Sequence, residues 1–268
     1  MKQYTDQTGT VISLPAVPLR IVSLVPSLTE LLFDLGLEDR LVGITKFCVH
    51  PYHLKSTKTK VGGTKKVHPE KIQLLQPDII ICNKEENTQE IVEAMRAIAP
   101  VWVSDIVTIN DVLAMITEFG KIFSVRTQSQ QWINKINYAQ ADFKQFMEGR
   151  EWLKTAYFIW KDPYMAAANG TFINEMMKLN HFSNIYEHLQ RYPEVVVQKM
   201  RIQGDPDVVF LSSEPYHFKD EDAFELGRHT HHAKTVFVDG EMFSWYGSRL
   251  VKAFDYFKKL QHRMQEPA

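Results

Sequence analysis

The sequence predicts an α/β protein with two Rossmann-like, three-layer lobes joined by a single long backbone helix. Over residues 20–123, short apolar runs alternate with amphipathic segments, as in a parallel sheet that is covered by helices on both faces. Residues 127–147 contain neither glycine nor proline and carry apolar residues at helical spacing, which predicts one long helix. The alternation then begins again, so we expect a second lobe.

The stretch Arg20–Gly36 predicts the opening βα unit of the first lobe. Its apolar, β-branched start indicates a buried strand that Pro26 ends. Ser27 and Glu30 have the spacing of a capping box, so the helix is expected to begin there. Ligands of open α/β sheets bind beyond the carboxyl ends of the strands. The turn at residues 26–29 is therefore a candidate ligand contact, where a helix N-terminus could donate to an anionic group.

The remaining elements are expected from the same two periodicities. An N-terminal hairpin should turn at residues 6–9. Further strands are expected at residues 41–44, 78–81, 101–103, 155–160 and 236–238. Further helices are expected from Pro69, over residues 90–99, 110–123 and 171–179, and from about Ser248, with a turn at residues 239–240.

A Pro-Asp pair that introduces a buried strand occurs once in each half of the chain. Glu70 begins the segment that leads to Pro77-Asp78, and Gln198 begins the segment that leads to Pro206-Asp207, with one extra residue in the second spacer. Internal repetition of this kind indicates two similar lobes. We therefore expect an N-terminal lobe at residues 1–126, a connecting helix at 127–149 and a C-terminal lobe at 150–268.

The composition bounds the possible functions. A formal net charge of −1 argues against a nucleic-acid partner, because phosphate contacts need a basic surface. No apolar run reaches the ~18 residues that span a bilayer, so no membrane span is expected. Cys48 and Cys82 form neither a disulfide framework nor a metal motif and are expected to be unreactive thiols. No export signal is visible at the N-terminus, which leaves a cytoplasmic location open.

Several motifs follow one another in a specific order and spacing. They are RIVSLVPSLTELLFDLG, LVGITKF and HPEKIQLLQPDIII in the first half, and YFIWKDPYMAAANGTFINEMM, RYPEVVV, DPDVVFLSSEP and VFVDGEMFSWYGSRL in the second. In these motifs nearly the whole chain resembles the class III periplasmic binding proteins, which capture cobalamin, siderophores and haem for ABC importers. The resemblance is closest to the cobalamin-binding branch, which shares the P-x-x-TE-L pattern.

The resemblance implies a ligand cleft between the lobes, little hinge motion and no catalytic chemistry. It implies a periplasmic monomer without an intrinsic cofactor, whose partners are a small-molecule ligand and an ABC transporter permease. The ligand would be a corrinoid such as cobalamin, an iron-siderophore or another metal chelate. The implied ligand-binding residues are Pro26, Ser27, Phe47, Thr64, Asn83, Tyr164, Met165, Tyr192, Trp245 and Arg249, and the implied transporter-docking residues are Glu70 and Glu194.

Two departures from the cobalamin-binding pattern bear on this expectation. Thr64 and Asn83 stand where those proteins tend to have tryptophan, so the first-lobe wall is more polar and a polar or smaller ligand stays open. Gln198 stands where the family has its second docking glutamate, and Glu194 lies about one helical turn away.

Other functions remain as alternatives. The fold could serve a cytoplasmic corrinoid or metal-chelate carrier, or an enzyme. The histidines at positions 229, 231 and 232 lack a matching acidic or cysteine pattern, so a solvated loop is favoured over a metal site. Asp162 and Glu214 follow expected strands and could act as paired carboxylates in acid–base chemistry, but a polar rim or a loop cap is favoured.

Overall fold

The first half of the chain forms a parallel sheet of five strands, preceded by a hairpin. The structure, a computed structural model, describes residues 1–265. The strands of this half are β1 (Lys2–Thr5), β2 (Val11–Leu14), β3 (Ile21–Ser23), β4 (Leu41–Ile44), β5 (Thr59–Lys60), β6 (Ile79–Asn83) and β7 (Val101–Ser104). The helices are α1 (Pro26–Asp34), α2 (Leu54–Thr57), α3 (Pro69–Leu74), α4 (Gln89–Arg96) and α5 (Ile109–Ile122). The sheet order is β5-β4-β3-β6-β7, and β1 pairs antiparallel with β2.

Helices cover both faces of this sheet. Successive side chains of a strand point to opposite faces, so the apolar strands offer side chains to helices on each face. On one face, Ile80 of β6 packs in an apolar cluster with Ile72 of α3 and Met95 of α4. On the other face, the ring of Trp102 in β7 meets the ring of Phe119 in α5, with centroids 6.0 Å apart. The first half therefore confirms the predicted layered α/β architecture.

Helix α1 begins one residue earlier than predicted, and the predicted capping box is wrong. Pro26 is its first residue. The N-cap residue is Val25, and among the described residues this position has no side-chain capping hydrogen bond. Proline suits this position, because its fixed φ is helical and its missing N–H would have no partner there. Glu30 does not cap the helix, since its carboxylate binds Arg249.

The second half contains a second parallel sheet. Its strands are β8 (Leu153–Trp160), β9 (Met165–Ala166), β10 (Phe182–Asn184), β11 (Val208–Ser212) and β12 (Lys234–Val238). The helices are α6 (Arg126–Met147), α7 (Phe172–Leu179), α8 (Met200–Gln203), α9 (Asp220–Gly227), α10 (Gly240–Ser244) and α11 (Leu250–Gln265). The order is β10-β8-β11-β12, with β9 antiparallel to β8. The turn predicted at residues 239–240 is wrong, because Asp239 caps α10 through a hydrogen bond from the Glu241 N–H.

The chain divides into two compact units. Unit 1 consists of Met1–Asn137 together with Tyr246–Arg249, and unit 2 consists of Tyr138–Trp245 with the residues from Leu250 onward. Helix α6 confirms the predicted long helix, and it begins in unit 1 and ends in unit 2. The lobe limits expected from the sequence stay a prediction. Among residues 1–265, none of the helices combines the length and apolar character needed to cross a bilayer.

The repeated Pro-Asp pair has the same structural role in each unit. In unit 1, Asp78 Oδ2 accepts hydrogen bonds from the backbone N–H groups of Leu19 at 2.7 Å and Arg20 at 2.9 Å. In unit 2, Asp207 Oδ2 accepts one from the N–H of Lys154 at 2.7 Å. Each aspartate thus ties the start of its own strand to the segment that begins the neighbouring strand. This shared geometry confirms the correspondence between the two halves.

Candidate functional site

The loops that follow the parallel strands of unit 1 bring the predicted first-lobe residues to one edge of the sheet. Strand β3 leads into Pro26 and Ser27, β4 into Phe47, and β5 into Thr64, while Asn83 ends β6. Because parallel strands all point the same way, these positions lie at the carboxyl edge, where open α/β sheets bind ligands. Of these residues, Pro26, Ser27 and Asn83 are buried.

Phe47 presents a half-exposed ring at this edge. Its side chain is 49% exposed, and Lys46 Nζ lies 4.9 Å from the ring centroid. This is the geometry of a cation–π contact. A Cβ atom on Gly63 would lie only 3.0 Å from Phe47 Cε2, so glycine at that position lets the neighbouring loop approach the ring.

The loop that contains Thr64 adds amino groups to the same edge. Asn87 Nδ2 donates to the Thr64 carbonyl at 3.0 Å and holds the loop in place. Lys65 Nζ donates to the carbonyl of Glu85, whereas Lys66 is exposed. Lys46 and Lys66 are both exposed, so an anion at this edge could reach their amino groups.

Glu86 lies after β6 and was not identified from the sequence. Burial raises the pKa of its carboxyl above the usual value of 4.5, while the charge of Lys65 and a hydrogen bond with Thr64 lower it. The sequence gives no signal of this burial, because Lys84-Glu85-Glu86 has the composition of a solvated charge run. The structure therefore adds a half-buried carboxyl with a raised pKa to the candidate site.

Asn83 uses its whole side-chain amide inside unit 1. Nδ2 donates to the carbonyl and the hydroxyl of Ser104, at 3.0 and 3.1 Å. Oδ1 accepts from the N–H groups of Glu85 at 2.8 Å and Glu86 at 3.1 Å. Two donors and two acceptor positions are the full capacity of an amide. Asn83 therefore holds the loop after β6 in shape.

Arg249 forms a buried ion pair with Glu30 of α1. Its Nε lies 2.7 Å from Glu30 Oε2 and its Nη2 lies 3.1 Å from Oε1, so the pair is bidentate. The two side chains are 4% and 5% exposed. Charge-assisted bidentate pairs are among the strongest hydrogen bonds in proteins. The guanidinium predicted to meet a ligand thus anchors the segment Tyr246–Arg249 on α1.

Tyr246 and Gly247 pack beside the same edge of unit 1. The Tyr246 hydroxyl lies beside the side chains of Ser104 and Ser27, and burial, followed by the charge of Glu86, raises the pKa of this phenol. Gly247 has a φ of +103°, and a Cβ there would lie 3.3 Å from Leu31 Cβ, so both the backbone and the space favour glycine.

Trp245 is packed inside unit 2. Its side chain is only 8% exposed, and Nε1 donates to Glu214 Oε1 at 2.9 Å. The hydroxyl of Ser244 donates to the same oxygen at 2.9 Å. Glu214 therefore organises the residues that end α10, as a loop-fixing carboxylate would, while Asp162 is exposed.

The other residues predicted from the second half lie around β9. Met165 belongs to β9 and forms an isolated bridge with Glu194, and Tyr192 is half-buried. Burial, together with the charge of Glu225, raises the pKa of Tyr164 to about 12. Lys161 Nζ lies 5.6 Å from the Tyr164 ring centroid. Tyr164 thus lies next to a charged cluster that the sequence did not indicate.

Lys161 is the centre of that cluster. Its Nζ donates to Asp222 Oδ1 at 2.6 Å and to Glu225 Oε2 at 2.8 Å, and these two hydrogen bonds raise the pKa of the lysine. Two carboxylates from α9 thereby hold Lys161 at the end of β8. Helix α9 carries no apolar stripe in its sequence, which is why it was not predicted.

Unit 2 also has a cleft of about 580 Å³ at the carboxyl ends of β11 and β12. Its lining within residues 1–265 includes none of the residues predicted to bind ligand. The lining residues are Leu211, Ser212, Ser213, His217, Phe218, Lys219, Asp220, Glu221, Phe237 and Val238. Its lining mixes apolar side chains with hydroxyl, imidazole and charged groups.

The two predicted docking residues are both exposed. Glu70 is the second residue of α3, its side chain is 68% exposed, and Oε1 lies 3.5 Å from Nδ1 of His68. Glu194 lies in the loop before the short 3₁₀ turn Val197–Lys199. Their role in docking stays a prediction.

Two of the three histidines considered as metal ligands have carboxylate partners. His231 Nδ1 lies 2.7 Å from Asp205 Oδ2, and His232 Nε2 lies 3.1 Å from Asp207 Oδ1. In the part of the chain that the structure describes, no three side chains of histidine, cysteine, aspartate or glutamate come together where they could hold a metal ion. Both cysteines are free thiols, and burial raises the pKa of Cys82 to about 12.

The structure has two α/β units, each built on a parallel sheet. Comparison with known families assigns the chain to a class of proteins with this architecture. The chain belongs to the periplasmic binding protein family, whose model matches residues 21–238. Members of this class serve as the substrate-binding proteins of ABC transporters, and relatives of this chain are named as binding proteins. The family suggested by the sequence motifs is therefore confirmed.

Relatives from two bacteria match the chain at low identity. An uncharacterised ABC transporter substrate-binding lipoprotein of Bacillus subtilis is 22% identical over 93% of this chain and 82% of its own length. A vitamin B12-binding protein of Vibrio parahaemolyticus is 22% identical over 72% of this chain and 70% of its own.

Solved structures share the fold. A periplasmic vitamin B12-binding protein of Vibrio cholerae has a TM-score of 0.79 at 19% identity, covering 94% of this chain and 100% of that one. A periplasmic haem-binding protein of Pseudomonas aeruginosa has a TM-score of 0.76 at 17% identity, covering 94% and 95%. A siderophore-binding protein, bound to acinetobactin and ferric iron, has a TM-score of 0.77 at 15% identity, covering 96% and 97%.

Proposed function

We propose that this protein captures an anionic metal chelate, such as haem or a ferric siderophore, and delivers it to an ABC importer. The observation that carries the proposal is the half-exposed Phe47 ring with Lys46 Nζ 4.9 Å from its centroid, next to the loop that bears exposed Lys66. A flat ring offers a large apolar contact at a small entropy cost. The nearby amino groups favour ligands with carboxylate or catecholate oxygens.

The buried polar groups of the candidate site hold the surrounding protein in place rather than contact the ligand directly. The guanidinium of Arg249 is neutralised by Glu30, and the amide of Asn83 is engaged by its own loop. Anion recognition in unit 1 is therefore assigned to lysine side chains. Pro26, Ser27 and Thr64 shape the edge on which Phe47 stands, and Tyr164, Met165 and Tyr192 are the contacts that we propose for unit 2.

A corrinoid is the second candidate ligand. It is favoured by the relatives named as vitamin B12-binding proteins, which match at 22% identity. The polar side chain of Thr64 and the engaged amide of Asn83, where that branch tends to have tryptophan, favour the anionic chelate over the corrinoid. A carrier that is not coupled to an importer would use the same ligand contacts, so ligand binding is tested separately from transport.

Substitutions at the Phe47–Lys46 pair test the proposal. We expect Phe47→Ala to weaken haemin binding about tenfold or more, because burial of an aromatic side chain contributes about 1.5–3 kcal/mol. We expect Lys46→Gln to weaken binding several-fold at low salt and less at high salt, because salt screens exposed charges. Dissociation constants from tryptophan fluorescence titrations measure both effects.

The matched control is Lys135→Gln. Lys135 Nζ also lies over an aromatic ring, 4.3 Å from the Trp132 centroid, but on helix α6. Haemin affinity should not change in this variant. Equal weakening by Lys135→Gln and Lys46→Gln, or unchanged affinity in Phe47→Ala, would remove the Phe47 surface from the proposed site.

A further inference from the structure

Two large aliphatic side chains are exposed at equivalent places of the internal repeat. Leu74 in unit 1 and Ile202 in unit 2 are each 83% exposed. Leu74 lies four residues after Glu70, and Ile202 lies four residues after Gln198, in the two segments that precede the Pro-Asp pairs. A single exposed aliphatic residue needs no explanation. An exposed aliphatic residue at the equivalent position of both units does.

The packing beneath these residues fixes their orientation. Ile72 and Met200 occupy the matching positions two residues earlier, and both are fully buried. Residues two apart in a helical segment point in roughly opposite directions, so Leu74 and Ile202 are turned outward by the burial of their neighbours. The two units therefore present their aliphatic side chains in the same way relative to their own cores.

The charges around the two side chains differ. Leu74 is one helical turn from Glu70, whose carboxylate is 68% exposed. Ile202 is instead flanked by Arg201, whose guanidinium donates to the carbonyls of Arg228 and Thr230, and is near exposed Lys199. Exposed lysines, Lys71 and Lys199, lie three residues before the aliphatic side chain in both units, so the repeat preserves the apolar surface together with this cation, and the carboxylate of Glu70 distinguishes unit 1 from unit 2.

We propose that Leu74 and Ile202 are the apolar anchors with which each unit docks on the permease of the ABC importer. The inference rests on the proposed function, because an importer is the partner that a substrate-binding protein must meet. A partner that contains two copies of one apolar recess, as two identical subunits would, can take the same side chain from each unit. At the unit 1 recess, a cationic group next to the apolar surface would complement Glu70.

Photo-crosslinking in cells tests the anchors directly. A benzoylphenylalanine residue replaces Leu74, Ile202 or Glu70 in the full chain, and replaces Tyr138 or Phe224 as controls. Tyr138 and Phe224 are 76% and 67% exposed but lie outside the repeated segments. Positions 74 and 202 should both crosslink to the same polytopic permease, identified by mass spectrometry, and the control positions should not.

Affinity measurements then quantify the contribution of each anchor. With the identified permease in nanodiscs, Leu74→Asp and Ile202→Asp should each weaken binding about tenfold or more, which corresponds to losing the burial of one aliphatic side chain. Tyr138→Asp should leave binding unchanged. All three variants should keep wild-type haemin affinity, which shows that the fold and the ligand site are intact.

The possible failures are distinguishable. A permease crosslink at position 70 without one at 74 and 202 overturns the anchors and leaves the importer function standing. Crosslinks from 74 and 202 to a second copy of this chain, to a non-transport protein, or to nothing overturn the anchors as well. If wild-type protein binds neither haemin nor a permease in these assays, the proposed function fails with them.

Discussion

Single residues at the carboxyl edge of unit 1 differ in what they have available for a ligand. Phe47 and Lys46 have exposed surfaces, whereas Asn83 and Arg249 have used their polar atoms on partners within the unit. Residue type alone does not separate these cases, because an arginine that binds a ligand and one that anchors a segment look alike in a sequence. The distances to the partner atoms make the distinction.

Glu86 makes a prediction about pH at the residue scale. Its pKa is raised in the folded protein, mainly by burial, so folding favours the protonated carboxyl. This stabilisation is fully present below the unfolded pKa and is lost as pH rises through the folded pKa. We therefore expect Glu86→Gln to stabilise the protein relative to wild type more at pH 7 than at pH 4, as measured by urea denaturation.

An exposed carboxylate serves as the control for that comparison. Glu148→Gln removes the same charge at an exposed position near the end of α6. Its stability difference from wild type should vary less between the two pH values. A Glu86→Gln difference that is constant, or that is larger at pH 4, would contradict the proposed burial of the carboxyl.

At the scale of elements, the Glu30–Arg249 pair joins helix α1 to the segment Tyr246–Arg249. Both side chains are almost fully buried, so removal of one partner leaves an uncompensated charge inside the protein. We expect Glu30→Gln and Arg249→Met each to lower the free energy of unfolding by roughly 3–5 kcal/mol. The double variant Glu30→Leu with Arg249→Met should lose much less than the sum, because it leaves no buried charge. Denaturant unfolding measures these differences.

The control for this prediction is an exposed ion pair on α5. Lys121→Met breaks the pair with Glu118 and should change stability by less than about 1 kcal/mol. If Arg249→Met were equally mild, the pair would not be the anchor that its burial indicates.

The elements could be predicted where periodicity and repetition were strong. Helix α6 and the strands β4, β6 and β11 follow from apolar spacing, and the Pro-Asp repeat follows from its recurrence. Helix α9 was missed because its eight residues carry three acidic groups in the first turn and no apolar stripe. The capping box on α1 was wrong because Glu30 binds a residue 219 positions away, and no local pattern indicates such a partner.

The site could be predicted from the sequence only as a set of positions. The carboxyl-edge rule and the family resemblance indicated Phe47 and Thr64, and the structure brings both to the edge of unit 1. The burial of Trp245 and the partial burial of Glu86 depend on packing between distant segments. Neither could be read from residue type, since tryptophan and glutamate occur both in cores and at surfaces.

At the scale of the whole molecule, the chain is a member of the periplasmic binding protein family with two α/β units. Relatives with this fold are named for vitamin B12, haem and siderophores, so the fold leaves the ligand open. The side chains at the carboxyl edge must therefore decide the ligand. Their lysines and the exposed Phe47 ring favour an anionic, partly flat chelate.

The most direct test is a calorimetric titration of the wild-type protein with two anionic and two neutral chelates. Haemin and ferric enterobactin carry acidic groups, whereas ferrichrome and cyanocobalamin have no net charge. We predict saturable binding of at least one anionic chelate with a dissociation constant on the order of 1 μM or tighter, equivalent to about 8 kcal/mol, and no saturation with the neutral chelates. Binding of cyanocobalamin or ferrichrome as tightly as either anionic chelate, or no binding of any of the four, would contradict the account.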